Sequence, residues 1–214
     1  HSDDGIHWRS DANNPVIAGW HDTCNMFFYD ERIGRYVLYG RPDSFIDRVT
    51  HANRLIGRCE SEDLIHWTPY RTVLDTDDID ADPIELLDEA MLRAGGTLTD
   101  AQRAAAWAAI TEGAVADTRA MIRGRNRQWY GITVIPYAGL YLALGMMYDL
   151  PSGHMWLELI HSYDGFDWHR EATRQPWLEM EPGRWDFPMQ VPFSSPPVQV
   201  NNELWFYYSG DTRT

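Results

Sequence analysis

The chain has 214 residues, enough to bury a sizeable core, and sets 18 basic residues, all arginine, against 32 acidic ones. The net charge of −14 argues against nucleic acid as a partner. No apolar run of about 18 residues crosses a membrane, no secretory leader is visible, and Cys24 and Cys59 supply neither a disulfide framework nor a CxxC metal motif, though a single bridge between them stays open.

Taken in chain order, the first element is a short phrase, Ser2-Asp3-Asp4-Gly5-Ile6-His7-Trp8, which returns as Ser61-Glu62-Asp63-Leu64-Ile65-His66-Trp67 and Ser162-Tyr163-Asp164-Gly165-Phe166-Asp167-Trp168. Asp and Gly mark a tight turn, because Asp bonds nearby backbone and Gly accepts a positive φ. The Trp then starts a strand and packs between neighbouring sheets. His7 and His66 share one slot of the phrase, so they are read as scaffold. Recurrence at a fixed period signals a repeat architecture. The intervals are 59 and 101 residues, and they agree at about 60 once an insertion of about 40 residues is removed from the second. That unit suits one four-stranded blade of a β-propeller.

Residues 1–9 read as the last hairpin of one blade. The next opens at Trp20-His21-Asp22-Thr23-Cys24-Asn25. Its strands are expected at 25–29 and 36–40, around a turn at 30–34, with a third near 52–61 and a fourth at Trp67. An acidic stretch follows, with Asp75, Asp77, Asp78 and Asp80 in six positions; it is read as a solvated loop in preference to a Ca²⁺ site. Residues 84–124 are Ala-rich and helical in period. Thr99 and Gln102 form a capping box. This insertion is a candidate lid or a contact for a homo-oligomer. Strands resume at 129–136, 140–148 and 155–162, and a fourth follows Trp168. The last unit holds Trp185-Asp186, a turn at Asn201-Asn202 and a strand at 203–209. The fold class is all-β: a β-propeller of the five-bladed type, incomplete in this chain, with a helical insertion at about 84–124. Residues 1–214 form one domain or a fragment of one.

Three carboxylates precede the innermost strands of successive blades and are the candidate catalytic groups: Asp22, Glu85 (with Asp82 nearby) and Asp186. Glycosidic cleavage needs one protonated carboxyl and one charged carboxylate. A neighbouring arginine keeps a carboxylate charged, and Arg41 is the candidate. Trp20, His21, Asn25 and Trp185 flank these acids and join Arg41 as candidate sugar contacts. No metal or other cofactor is expected.

The strings Asp22–Asp30 and Gly34–Arg41, the Ser-x-Asp-x-x-x-Trp phrase, Trp185-Asp186 and Glu203–Gly210 resemble the glycoside hydrolase family 32 and family 43 superfamily, and more closely the bacterial proteins termed family-32-like. The resemblance covers most of the chain except 86–124. It implies a five-bladed propeller with one acid on each of three successive blades. On that basis Asp22 is the nucleophile or base, Glu85 assists, and Asp186 is the third carboxylate and a candidate acid. A secreted member would be periplasmic or extracellular. Asp22 is followed by Thr where family 32 has Asn-Asp-Pro-Asn-Gly, and Arg41-Pro42-Asp43 inverts its Arg-Asp-Pro. The turns also resemble the Asp-boxes of sialidases. The alternative reading is a non-catalytic propeller that binds carbohydrate or protein in the same funnel.

Overall fold

The structure is a computed structural model that describes residues 2–18, 24–42, 54–77, 80, 99, 101, 127–149 and 152–211. Every named element among these residues is a β-strand. The helical insertion expected at 84–124 lies outside them except for Thr99 and Ala101.

The first sheet is an antiparallel meander of β1 (Met26–Asp30), β2 (Arg35–Gly40), β3 (Ile56–Ser61) and β4 (Arg71–Leu74). In β1 the alternation is strict: Met26, Phe28 and Asp30 are buried, whereas Phe27 and Tyr29 face out. This is the period-2 signature of a strand with one covered face. Asp30 closes the β1–β2 turn by accepting the Arg32 amide at 3.0 Å, and Gly34 takes φ +64° there. The fourth strand starts at Arg71, not at Trp67; Trp67 makes only a single bridge to Ser61. Its indole is instead turned back onto its own turn.

The second sheet contains β5 (Arg127–Tyr137), β6 (Leu140–Asp149), β7 (Met155–Ser162) and the short β8 (Trp168–His169), again a meander. A two-residue hairpin at Ala138-Gly139 joins β5 to β6, with φ of +48° and +85°, the conformation that suits the twist of paired strands. Strand β6 is covered on both faces. Tyr141, Ala143 and Met147 point into one cluster with Met26, Val37 and Tyr39 of the first sheet, while Leu144 and Met146 point into another with Met155, Leu157 and Met189. A both-sides-buried central strand is what stacking of sheets face to face produces. Trp129, fully buried, lies over Gly145, where any β-carbon would meet its ring.

The third unit is one bent hairpin. Strands β9 (Met189–Pro192) and β10 (Val198–Val200) run out to the turn at Asn201-Asn202; β11 (Glu203–Trp205) and β12 (Tyr208–Asp211) run back. Met189 pairs with Met155, so the hairpin docks on the edge of the second sheet. The strand expected at 203–209 is thus split in two. β9 was not legible, because Pro188 and Pro192 bracket it and Gln190 interrupts its apolar run.

The three repeated turns share one hydrogen-bond scheme. The Gly or Leu amide donates to the Ser Oγ at 2.8, 2.9 and 2.8 Å. The two amides that follow donate to one Asp Oδ1 at 2.8–2.9 Å. Nδ1 of His7 and of His66 each sits 2.7 Å from its own Asp carboxylate. Gly5, Leu64 and Gly165 all have positive φ, at 73°, 67° and 78°. Of the three tryptophans, Trp168 packs edge-on against Tyr39 of the neighbouring sheet at 6.0 Å, whereas Trp8 is 73% exposed.

Candidate functional site

The register places the turns at Ser61–Trp67 and Ser162–Trp168 at one end of their sheets and the leading ends of β1, β5 and β9 away from them. Gly40 pairs with Gly57 at the opposite end of β3 from Ser61. Residues of all three units border one apolar cluster: Cys24 just before β1, Tyr130 of β5, Tyr148 of β6, Val191 of β9, Phe206 just before β12 and Tyr208 of β12 pack against Leu144, Met146, Met155, Leu157 and Met189. Contact between the first two is direct. A β-carbon on Gly131 would fall 2.5 Å from that of Cys24, so only glycine lets the strands meet there. Cys24 has φ +62° and redirects the chain into β1. Both cysteines are free thiols; the bridge left open by the sequence is not formed.

Arg41 is 3% exposed. Its Nη2 donates to the Tyr130 carbonyl at 3.1 Å, and its guanidinium lies 5.1 Å from the Tyr130 ring. Arg54 approaches the same ring at 5.3 Å and donates from Nη1 to Gln128 Oε1 at 2.7 Å. Two cations on one aromatic face make a local positive region in an acidic protein. Asn25 stands beside Gly40: a β-carbon there would lie 2.5 Å from Asn25 Oδ1. Asn25 and Arg41 are therefore at the same end of the first sheet.

On the third unit, Asp186 is 1% exposed. Its carboxylate accepts from Arg184 Nε at 3.1 Å, from Gln190 Nε2 at 3.2 Å and from the Tyr208 hydroxyl at 3.0 Å. Burial by itself would raise its pKa, but the bonds from Arg184 and Tyr208 outweigh burial and hold it below the ordinary carboxylate range. The Tyr208 phenol is correspondingly raised, by burial and by the same bond. Trp185, 58% exposed, lies 5.4 Å from the Tyr208 ring, tilted by 33° against it. Asp22, Glu85, Trp20 and His21 lie outside the described residues.

The acidic stretch differs from the solvated loop expected of it. Asp80 is 1% exposed and takes a bidentate grip from Arg170, at 2.6 and 2.9 Å. Arg170 also holds Glu158 through two bonds of 3.0 Å and lies over the Trp129 ring at 4.6 Å. Arg174 pairs with Asp77. Two of the four acids, Asp77 and Asp80, are thus neutralised by arginines about 90 residues away in the chain, whereas Asp75 is exposed as expected and Asp78 lies outside the described residues. Among the described residues no group of three or more His, Cys, Asp or Glu is arranged to hold a metal.

Sequence reasoning did not find Arg54, Tyr130, Gln190 or Tyr208. None belongs to a repeated phrase: Arg54 and Tyr130 acquire their places where the first two sheets meet, and Gln190 and Tyr208 where their strands close on Asp186.

No family model matches the chain, and no curated protein matches it. Solved structures do. An N-acetylgalactosamine deacetylase from F. plautii, in complex with blood group B trisaccharide, is similar at 13% identity with a TM-score of 0.52, over 98% of this chain and 50% of that one. The beta-1,2-mannobiose phosphorylase of Listeria innocua, in complex with beta-1,2-mannobiose, gives 11% identity, a TM-score of 0.49, and 88% and 36% coverage. A thermostable family-43 glycoside hydrolase gives 17%, 0.42, and 86% and 40%. The chain spans half of the first and less of the others. At these identities the shared property is the fold, carried by the first of the three: stacked antiparallel sheets of the kind found in a carbohydrate-active protein.

Proposed function

We propose that the chain belongs to a five-bladed propeller of the family 32/43 type that cleaves a glycosidic bond in an oligo- or polysaccharide. Asp22, Glu85 and Asp186 carry the chemistry, and Trp20, His21, Asn25, Arg41 and Trp185 contact the sugar. The observation that carries the reading is that residues of all three units border one apolar cluster, at whose edge Tyr208 bonds the buried, triply bonded Asp186 beside an exposed tryptophan. Residues far apart in sequence become neighbours there, which is what carboxylates from separate blades require.

The electrostatics suggest how the roles divide. Asp186 keeps its charge at neutral pH, so it is suited to stabilise positive charge on the reacting ring and not to supply a proton. Glu85 then protonates the leaving oxygen. Asp22 attacks the anomeric carbon or takes a proton from the attacking water. The bond broken is that between the anomeric carbon and the glycosidic oxygen, and water supplies the new hydroxyl and the proton that restores the acid.

The exposed Trp185 ring beside Tyr208 also supports the second reading, a site that binds sugar without turnover, because flat rings pair with the C–H faces of pyranoses. The neighbour of highest TM-score cited above, itself in complex with a trisaccharide, fits either. A panel of aryl glycosides and oligosaccharides separates them. Hydrolysis of at least one member supports the enzyme; binding of sugars with no product from any member supports the binding module.

A further inference from the structure

The third repeated turn carries something the other two do not. Its Ser162 and Trp168 are paired across β7 and β8, so the residues just outside the phrase, His161 and His169, are paired as well. Ile160 packs in the cluster shared with the first sheet, and alternation along β7 turns His161 to the opposite face. Trp168 packs on Tyr39 of the first sheet, and His169 turns away in the same sense. The two imidazoles meet there with ring centres 5.0 Å apart and planes 25° from parallel, and the Tyr163 ring stands edge-on beside both. The corresponding slot of the first sheet holds Glu60 and Thr68. There the Thr68 amide donates to the Glu60 carbonyl at 2.9 Å, and the Glu60 carboxylate is taken by Arg58. The same backbone slot is thus built twice, and the second sheet fills it with a pair of imidazoles.

This pair differs from the histidines inside the phrase. His7 and His66 each have Nδ1 tied to an Asp carboxylate at 2.7 Å. Among the described residues, no hydrogen bond or ion pair takes the ring nitrogens of His161 or His169. His169 is exposed and His161 half-buried, so a solute can reach the pair. Two imidazoles that bind one tetrahedral ion at about 2.0–2.1 Å have their ring centres about 5 Å apart. The observed separation already matches that spacing. The ring torsion of histidine is broad, so turning the rings in place aims one nitrogen of each at a common point.

We propose that His161 and His169 together bind a divalent transition-metal ion such as Zn²⁺ across β7 and β8. Imidazole suits Zn²⁺, Cu²⁺ and Ni²⁺, whereas Ca²⁺ and Mg²⁺ take oxygen ligands, so the pair selects for the first group. The net charge of −14 draws divalent cations towards the protein. Two protein ligands leave the remaining positions of a four-coordinate ion to water or to an incoming ligand. Strand β8 is two residues long and pairs with β7, so the ion also clips this short strand to its neighbour.

The test is calorimetric titration of the full chain with Zn²⁺, in wild type, His169→Ala and His161→Gln, together with electron paramagnetic resonance of the Cu²⁺-loaded proteins. Wild type is expected to bind Zn²⁺ saturably and to melt at a higher temperature with it than without it. Each variant is expected to bind at least about tenfold more weakly, because the second imidazole acts at high effective concentration once the first is bound. The Cu²⁺ spectrum is expected to lose one coordinated nitrogen in each variant. His169 is exposed, so His169→Ala is expected to melt as wild type does when no metal is added, and that variant alone decides the matter if His161→Gln fails to fold. Absence of Zn²⁺ binding in wild type, or equal Zn²⁺ affinity in wild type and His169→Ala, overturns the site.

Discussion

The two ends of the sheets are built on different rules. At the end that carries Asp63 and Asp164, two short turns satisfy their own backbone with the same side chains in the same order, as the turn at Asp4 does ahead of the first sheet. At the leading end, no residue recurs: Cys24, Arg41, Tyr130 and Asp186 each find partners on another strand or another sheet. Repetition marks what the fold needs in each sheet. Its absence marks where the sheets differ.

The comparison is sharpest where scaffold touches tertiary structure. Arg170 joins a loop of the first sheet to the second and is buried with two carboxylates. Arg170→Met leaves Asp80 and Glu158 buried without a cation, and is expected to cost about 3–5 kcal/mol in chemical denaturation. Next comes Gly165. A β-carbon there strikes the Arg58 guanidinium and comes within 2.7 Å of the Tyr39 hydroxyl, at φ +78°. Gly165→Ala is expected to cost about 2–4 kcal/mol, from left-handed strain and overpacking together. The same change at Gly5 (φ +73°) meets nothing within 4 Å and is expected to cost only the strain, about 1 kcal/mol. Leu64 already carries that strain, so Leu64→Gly is expected to stabilise by up to about 1 kcal/mol. Equal effects at Gly165 and Gly5 would mean that the turns are independent of their surroundings.

A pH series tests the carboxylates at both ends. Asp164 is held low by the Asp167 and Phe166 amides, and Asp186 by Arg184 and Tyr208 against its burial. A depressed folded pKa gives stability that is present above the ordinary value of about 3.9 and lost as pH falls through the folded value. The melting temperature is therefore expected to hold from pH 7 to 5 and to fall below pH 4. The fall is expected to be shallower in Asp164→Asn.

The turns were legible because the Ser and Asp bonds that shape their backbone span at most three residues, so local sequence specifies that shape. Strands of the first two sheets were legible from alternation, as in Met26–Asp30. The acidic stretch was not, because what buries Asp80 is an arginine 90 residues onward. Asn25, Arg41, Trp185 and Asp186 were picked out as positions at or just outside the ends of predicted strands. Tyr130 and Tyr208 were not, since each reads as an ordinary strand tyrosine until its ring meets an arginine or its hydroxyl meets Asp186.

The central claim is that acids from different sheets act on one bond. Turnover of the best panel glycoside by Asp22→Asn and by Asp186→Asn, each shown to melt as wild type does, addresses it most directly. The account predicts that kcat falls at least about a hundredfold in both, the scale of losing one charge-stabilising or proton-transferring group. Undiminished kcat in both folded variants would contradict it.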